Sequence, residues 1–410
     1  VRSTVQGRGF MHRFYQPARR GTLRSMRRLW ILPLLAALAC DGGADDAKAK
    51  DTKPGVAETD DAKKADAKKA DAKKADAKKA DFTPGQPLAP NKEEKHFASL
   101  KQLTNGGENA EAYLSFDESQ LVFQATTGEM KCDQIFTMKL DGTDVKRVSS
   151  GEGRTTCAYF LPGDEKLIYA STHGADPGCL PPPDRSLGYV WKLYDEYDIY
   201  VSGADGSDPK MLIGGKGYDA EATVSPKGDK IVFTSTRTGD PEVFISDIDG
   251  SNITQLTDSK GYDGGPFFSP DGTKIVYRAN HPEGEEELAK YTEIIEKGHV
   301  RPTRLELFVM NADGSDQRQI TSNGKANFGP YFHPSGEKII FSSNMDSAMG
   351  RTFELYLIGI DGKGLERVTH NDSFDGFAMF SRDAKTLVFA SNRNNASMGD
   401  TNVFVAEWVD

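Results

Sequence analysis

The chain has 410 residues, 37% apolar and 10% aromatic, with 51 basic and 61 acidic side chains and a formal net charge of −10. That length and apolar share allow one large globular part beside substantial polar sequence. Residues 1–39 hold eight Arg and no acid, so the remainder carries 43 bases against 61 acids, and a nucleic-acid partner, which needs a basic face, is argued against.

Arg27 and Arg28 precede the apolar run Leu29 to Ala39, too short for a stable membrane span and suited to the apolar core of an export signal. It ends in Ala37-Leu38-Ala39-Cys40. Small residues before a lone Cys resemble the lipobox of bacterial lipoproteins, which implies cleavage before Cys40 and its lipidation. A Leu is usual where Ala37 stands. Residues 1–39 are thus expected to be a lipoprotein signal peptide.

Residues 40–97 are expected to be a disordered tether. Ala65-Asp66-Ala67-Lys68-Lys69 starts a five-residue repeat running to Asp81, with no apolar pattern to support a core. As a flexible coil it would span roughly 40 Å on average, holding a domain clear of a membrane.

From residue 98 onward one hairpin recurs. Its clearest copy is Tyr262 to Tyr277, with a turn at Ser269-Pro270-Asp271-Gly272. Pro presets the turn's φ and Gly accepts positive φ. Second strands of six copies centre on Leu121-Val122-Phe123, Leu167-Ile168-Tyr169, Ile231-Val232-Phe233, Ile275-Val276-Tyr277, Ile339-Ile340-Phe341 and Leu387-Val388-Phe389. A spacing near 45 residues with two longer members is the mark of a propeller array. Asp-Gly hairpin turns follow the third strands of five copies, from Asp141-Gly142 to Asp361-Gly362. The sixth copy lacks an outer strand, and Lys101-Gln102-Leu103-Thr104 matches the missing piece. The expected fold is an all-β six-bladed propeller over residues 98–410, closed by its N-terminal strand.

The segments SPDGTKIVY, SPKGDKIVF and HPSGEKIIF, each followed by a strand and Asp-Gly, resemble the WD-like repeats of TolB-type propellers. The same repeats form the propeller domains of prolyl-oligopeptidase-like enzymes. The resemblance covers roughly residues 98–410 and implies the fold more than the function. TolB carries a small α/β domain before its propeller, where this chain has only the tether.

Length variation falls on one face, at 171–196, 279–304, 342–352 and 391–400, and long loops on one side of a rigid scaffold are where binding concentrates. Candidates there are His173, Asp184, Arg185, Tyr189, Trp191, His281, Arg301, Arg304 and Arg393. Glu285 to Lys297 carries a helical pattern closed by Gly298. Arg301 and Arg304 could read a carboxylate or pair with neighbouring acids.

At the approach to each inner strand, Asn109, Thr155, Asp219, Asp263, Asn327 and Asp375 take equivalent positions, with Glu111 and Glu221 two residues further on. They could form a hard-oxygen rim at the channel mouth suited to Ca²⁺ or an amine; alternatively they cap strand ends through Asx-type turns. Cys132, Cys157 and Cys179 map to the same face, and a disulfide is expected in an oxidising envelope, with Cys132–Cys157 favoured and Cys157–Cys179 next. No Cys/His spacing supports a zinc site.

The 410 residues hold no Gly-x-Ser-x-Gly elbow and no glycine-rich phosphate loop between strand and helix. The expected function is a non-catalytic binding module, a monomeric propeller lipid-anchored in the cell envelope and facing the periplasm or cell surface. Its ligand would be an envelope protein, a peptide or a glycan. The alternative is a channel-mouth hydrolase or lyase, metal-assisted, or the propeller partner of a separate peptidase. Carboxylates and imidazoles converging within metal-bonding distance would favour the enzyme; dispersed acids paired with Arg or Lys would favour binding.

Overall fold

The computed structural model describes residues 85–371 and 373–410. The signal peptide, Cys40 and most of the tether lie outside the described residues. Six antiparallel four-stranded blades follow one another in chain order. Their inner strands are Glu108–Leu114, Thr155–Phe160, Asp219–Val224, Tyr262–Phe268, Asn327–Phe332 and Asp375–Phe380. Among the described residues no helix is long and apolar enough to cross a membrane.

Each blade is built on the same cross-strand pair. The aromatic that ends each second-strand triplet sits opposite an aromatic of the third strand: Phe123 on Phe136, Tyr169 on Tyr200, Phe233 on Phe244, Tyr277 on Phe308, Phe341 on Tyr356 and Phe389 on Phe404. Ring centroids lie 5.6 to 6.4 Å apart. Such pairs add roughly 0.5–1.5 kcal/mol beyond the area they bury. Because side chains alternate along a strand, the adjacent Val or Ile points to the other side of the sheet, against the next blade. Val122, Ile168, Val232, Val276, Ile340 and Val388 are all fully buried.

The ring closes as the sequence indicates. Strand Phe97–Gln102 pairs with the C-terminal strand Asn402–Trp408, so blade six contains both ends of the described chain. Thr104 completes the join. Its hydroxyl accepts the Val403 N–H at 2.9 Å, as Thr257, Thr321 and Thr369 accept the N–H groups of Val243, Leu307 and Leu355 in blades three to five. The attachment starts upstream of the expected boundary at residue 98. Pro87–Leu88 adds a short fifth strand to blade six, and buried Glu94 pairs with Arg393 at 2.9 Å.

Blades two and four carry the long insertions, and these knit together. Trp191–Lys192 from the first pairs antiparallel with His299–Val300 from the second. Helix α1, Gly284–Ile295, buries Tyr291 and Ile294 and leaves Leu288 exposed. Glu285, Glu286 and Glu287 in its first turn suit the positive end of the helix dipole.

One expectation is corrected. The disulfide joins Cys132 to Cys179, with Cα atoms 5.8 Å apart, and Cys157 is free. The reason lies in the inner strand of blade two. Cys157 sits on a bulge that turns its sulfur toward the channel axis and Glu111. Cys132, in the loop between the second and third strands of blade one, meets the blade-two insertion instead. The disulfide thus fastens that insertion to the neighbouring blade.

Candidate functional site

All six inner strands bulge at the same point, after Ala110, Thr156, Ala220, Gly264, Phe328 and Gly376. The residue that follows has positive φ in every case: Glu111, Cys157, Glu221, Gly265, Gly329 and Phe377, at 50° to 61°. Two are glycines, which adopt this conformation freely. The other four hold side chains in the left-handed region at a cost of order 1 kcal/mol each, a form of strain that clusters at functional sites. Together they ring the upper channel, acidic on blades one and three and aromatic on blade six.

Glu221 is tightly held. It accepts hydrogen bonds from Arg278, from the Thr234 hydroxyl at 2.7 Å and from the Gly265 N–H at 2.9 Å. The Arg278 guanidinium lies 5.0 Å from the centre of the Trp191 ring and also meets the Tyr262 hydroxyl at 3.0 Å. Trp191 in turn packs 5.2 Å from Phe328 of blade five. The blade-two insertion therefore arches over blade four to reach blade five. Glu111 has no such cation of its own. Burial pushes its pKa up to about 7, against a smaller opposing hydrogen bond from Cys157. Burial and the nearby Glu111 and Glu221 carboxylates push the Cys157 thiol well up, so it stays protonated.

Below this ring the channel is plugged. Tyr113 of blade one packs against Phe267 of blade four at 5.5 Å, and Tyr159 of blade two stands beside Tyr331 of blade five. In a six-bladed ring those are opposite blades, so the side chains meet on the axis.

The predicted rim residues occupy their expected places but serve as clamps between blades. The backbone N–H of each of these six residues, from Asn109 to Asp375, donates to a carbonyl of the preceding blade at 2.9 to 3.2 Å. Their side chains are buried and bonded separately. Asp219 pairs with Arg237 and Asp375 with Arg393, each at 2.7 Å, and His281 Nε2 meets Asp263 at 3.0 Å. Asn327 donates to the Leu305 carbonyl at 2.6 Å, Asn109 to that of Thr401 at 2.9 Å, and the Thr155 hydroxyl to that of Asp133 at 2.9 Å. Burial pushes Asp375 up to about 6 despite Arg393. At His281, burial opposes the charge and Asp263 outweighs it, for a net rise. Among the described residues no group of three or more His, Cys, Asp or Glu is placed to hold a metal ion.

The face-loop candidates divide in two. Tyr189 and Trp191 converge with Glu221 and Arg278 at the channel mouth, where the Trp191 indole donates to the Tyr189 hydroxyl at 3.2 Å. The rest are scattered. His173 bonds Ser171 at 2.7 Å, Asp184 accepts the Ser186 N–H at 2.8 Å, and Arg304 pairs with Glu287 on helix α1 at 2.7 Å. Arg185 opens a 3₁₀ turn, Arg185–Leu187, and Arg301 is exposed beside Gly188. The sequence reading missed Arg278 and Phe377 because both lie inside strands. The signal available for Phe377 was its alignment with Gly265 and Gly329.

The family model for the TolB beta propeller domain matches residues 177–296, from the blade-two insertion through blade three and into the blade-four insertion. Over those residues the propeller is of the TolB type. Solved structures resembling this chain include TolB from Acinetobacter baumannii, 15% identical over 73% of this chain and 63% of that one, with a TM-score of 0.48. They also include an oligogalacturonate lyase from Vibrio parahaemolyticus, 11% identical over 80% and 98%, TM-score 0.46. A gluconolactonase from Xanthomonas campestris is 15% identical over 80% and 96%, TM-score 0.50. Likeness at these identities is likeness of fold. The search of curated proteins returned no match.

Proposed function

We propose that this TolB-type propeller is a lipid-anchored binding module of the cell envelope, taking a peptide or protein segment at the channel mouth of its elaborated face. The observation that carries this reading is the way that face is built. Two insertions share a β-ladder, one is fastened to blade one by a disulfide, and Trp191 is set over Arg278 beside Tyr189. Rigid aromatic side chains with polar handles around a buried Arg have the composition of interaction hot spots. The acids nearby are mostly paired with Arg or His rather than gathered on one point, which also favours binding.

The test is an affinity pulldown from envelope extracts with the full chain, beside its Trp191→Ala variant. Retention of a specific partner by the parent and its loss from the variant is the expected result; identical capture by both would refute the site. Cys40→Ala should move the protein from membranes to the soluble fraction, and continued membrane association would overturn the anchor. A catalytic reading draws on one observation, Glu111 with a pKa about 7 facing the channel beside Glu221 and Arg278, where a carboxyl could exchange protons at neutral pH. Turnover of an envelope polysaccharide abolished by Glu111→Gln would favour it.

A further inference from the structure

The opposite, short-turn face also carries a cavity. It has a volume of about 220 Å³, with the channel plug as its floor and Pro226, Pro270 and Pro334 of successive hairpin turns at its mouth. Phe116 lines one side, with the Arg382 guanidinium 5.6 Å from its ring centre.

Its polar groups are largely committed within the protein. The Thr223 hydroxyl donates to the Pro266 carbonyl at 2.8 Å, and the Ser115 and Ser269 hydroxyls to Asp117 and Asp271 at 2.7 and 2.6 Å. Glu118 accepts the backbone N–H of Arg382 at 2.6 Å, and the Arg382 guanidinium donates to the Phe116 carbonyl, so one acid and one base stand together at the lip. A charged guest would lose its hydration without a compensating partner. What the walls offer are aromatic faces and edges, which favour another ring in an offset or edge-on arrangement. Tyr159 and Tyr331 both line the cavity, and a phenol oxygen has lone pairs to accept a further donor. The volume is below the roughly 300 Å³ at which drug-sized pockets begin.

We propose that this cavity binds a single neutral aromatic ring of phenol or indole size, with its O–H or N–H directed at the Tyr159–Tyr331 pair. The ring could arrive as a free small molecule or as a Tyr or Trp side chain. This site is independent of the one on the elaborated face.

The experiment is titration of the full chain with indole, 4-methylphenol, cyclohexanol and N-acetyltryptophanamide, read by ligand-observed NMR and thermal shift. Indole and 4-methylphenol should bind saturably at millimolar concentration or below, with cyclohexanol at least tenfold weaker. Pro334→Trp, which places a ring across the mouth, should weaken indole at least tenfold, while Met398→Ala on the other face leaves it unchanged. If Pro334→Trp does not fold, Pro226→Trp makes the same test. N-acetyltryptophanamide binding as tightly as indole supports the site and assigns it to a peptide side chain; tenfold weaker binding supports it and assigns a free ring. Absence of saturable indole binding, unchanged affinity in the folded mouth variant, or equal affinity for cyclohexanol would overturn the proposal.

Discussion

At the scale of single residues, the six bulges ask for a glycine and receive one only twice. Glu111, Cys157, Glu221 and Phe377 accept left-handed backbone, and in exchange place an acid, a thiol, an acid and a ring in the channel. Glu221 is compensated by Arg278; Glu111 is not. An acid whose folded pKa, about 7, lies above its ordinary 4.5 binds its proton more tightly in the native state. Its contribution to stability is complete below about pH 4.5 and is lost as pH rises through about 7. Glu111→Gln, which stays neutral throughout, should therefore stabilise the propeller by on the order of 1–3 kcal/mol at pH 8 and have little effect at pH 4.5. Melting curves of parent and variant across that range check this; parallel pH profiles would show that Glu111 is solvated like a surface carboxylate.

At the scale of elements, the two insertions are stable because they brace one another. Neither has a core of its own: the first contributes a two-residue strand and the second a helix with two buried side chains. The Cys132–Cys179 bond spans 47 residues of sequence, and crosslinks of that reach contribute about 2–4 kcal/mol. Cys179→Ser should lower the melting temperature and raise amide exchange between residues 172 and 197 selectively, while Cys157→Ser should leave that segment unchanged. Equal exchange in both variants would mean that the ladder alone holds the insertion. The helix was legible beforehand, since Tyr291 and Ile294 follow its period and Gly298 ends it. The Trp191–Val300 ladder was not, because two residues paired across more than a hundred carry no local signal. For the same reason the sequence could place three cysteines on one face but could not say which two meet. The bulge that turns Cys157 inward is a tertiary feature of the channel.

At the scale of the whole molecule, a propeller is as stable as its weakest junction, because opening the ring exposes two blade edges together. The repeat of hairpins, with the outer strand misplaced to the front, was enough to read both the blade count and the closure. The structure adds that the closing blade resembles the others in chemistry as well as position. Thr104 stands where Thr257 stands in blade three, each fully enclosed and each accepting the N–H of the facing third strand at 2.9 Å. Replacing either by Val leaves a buried N–H without a partner, at a cost of roughly 1–3 kcal/mol. Thr104→Val and Thr257→Val should therefore destabilise by similar amounts if the junction is an ordinary blade contact. Deleting residues 97–104 should do much more. It removes the buried Phe97, Leu100 and Leu103 and leaves Asn402–Trp408 as a bare strand edge, a template for pairing between molecules. The expected outcome is a large fall in melting temperature with concentration-dependent association in gel filtration. An unchanged melting temperature after the deletion would mean that the six blades hold their ring without the N-terminal strand.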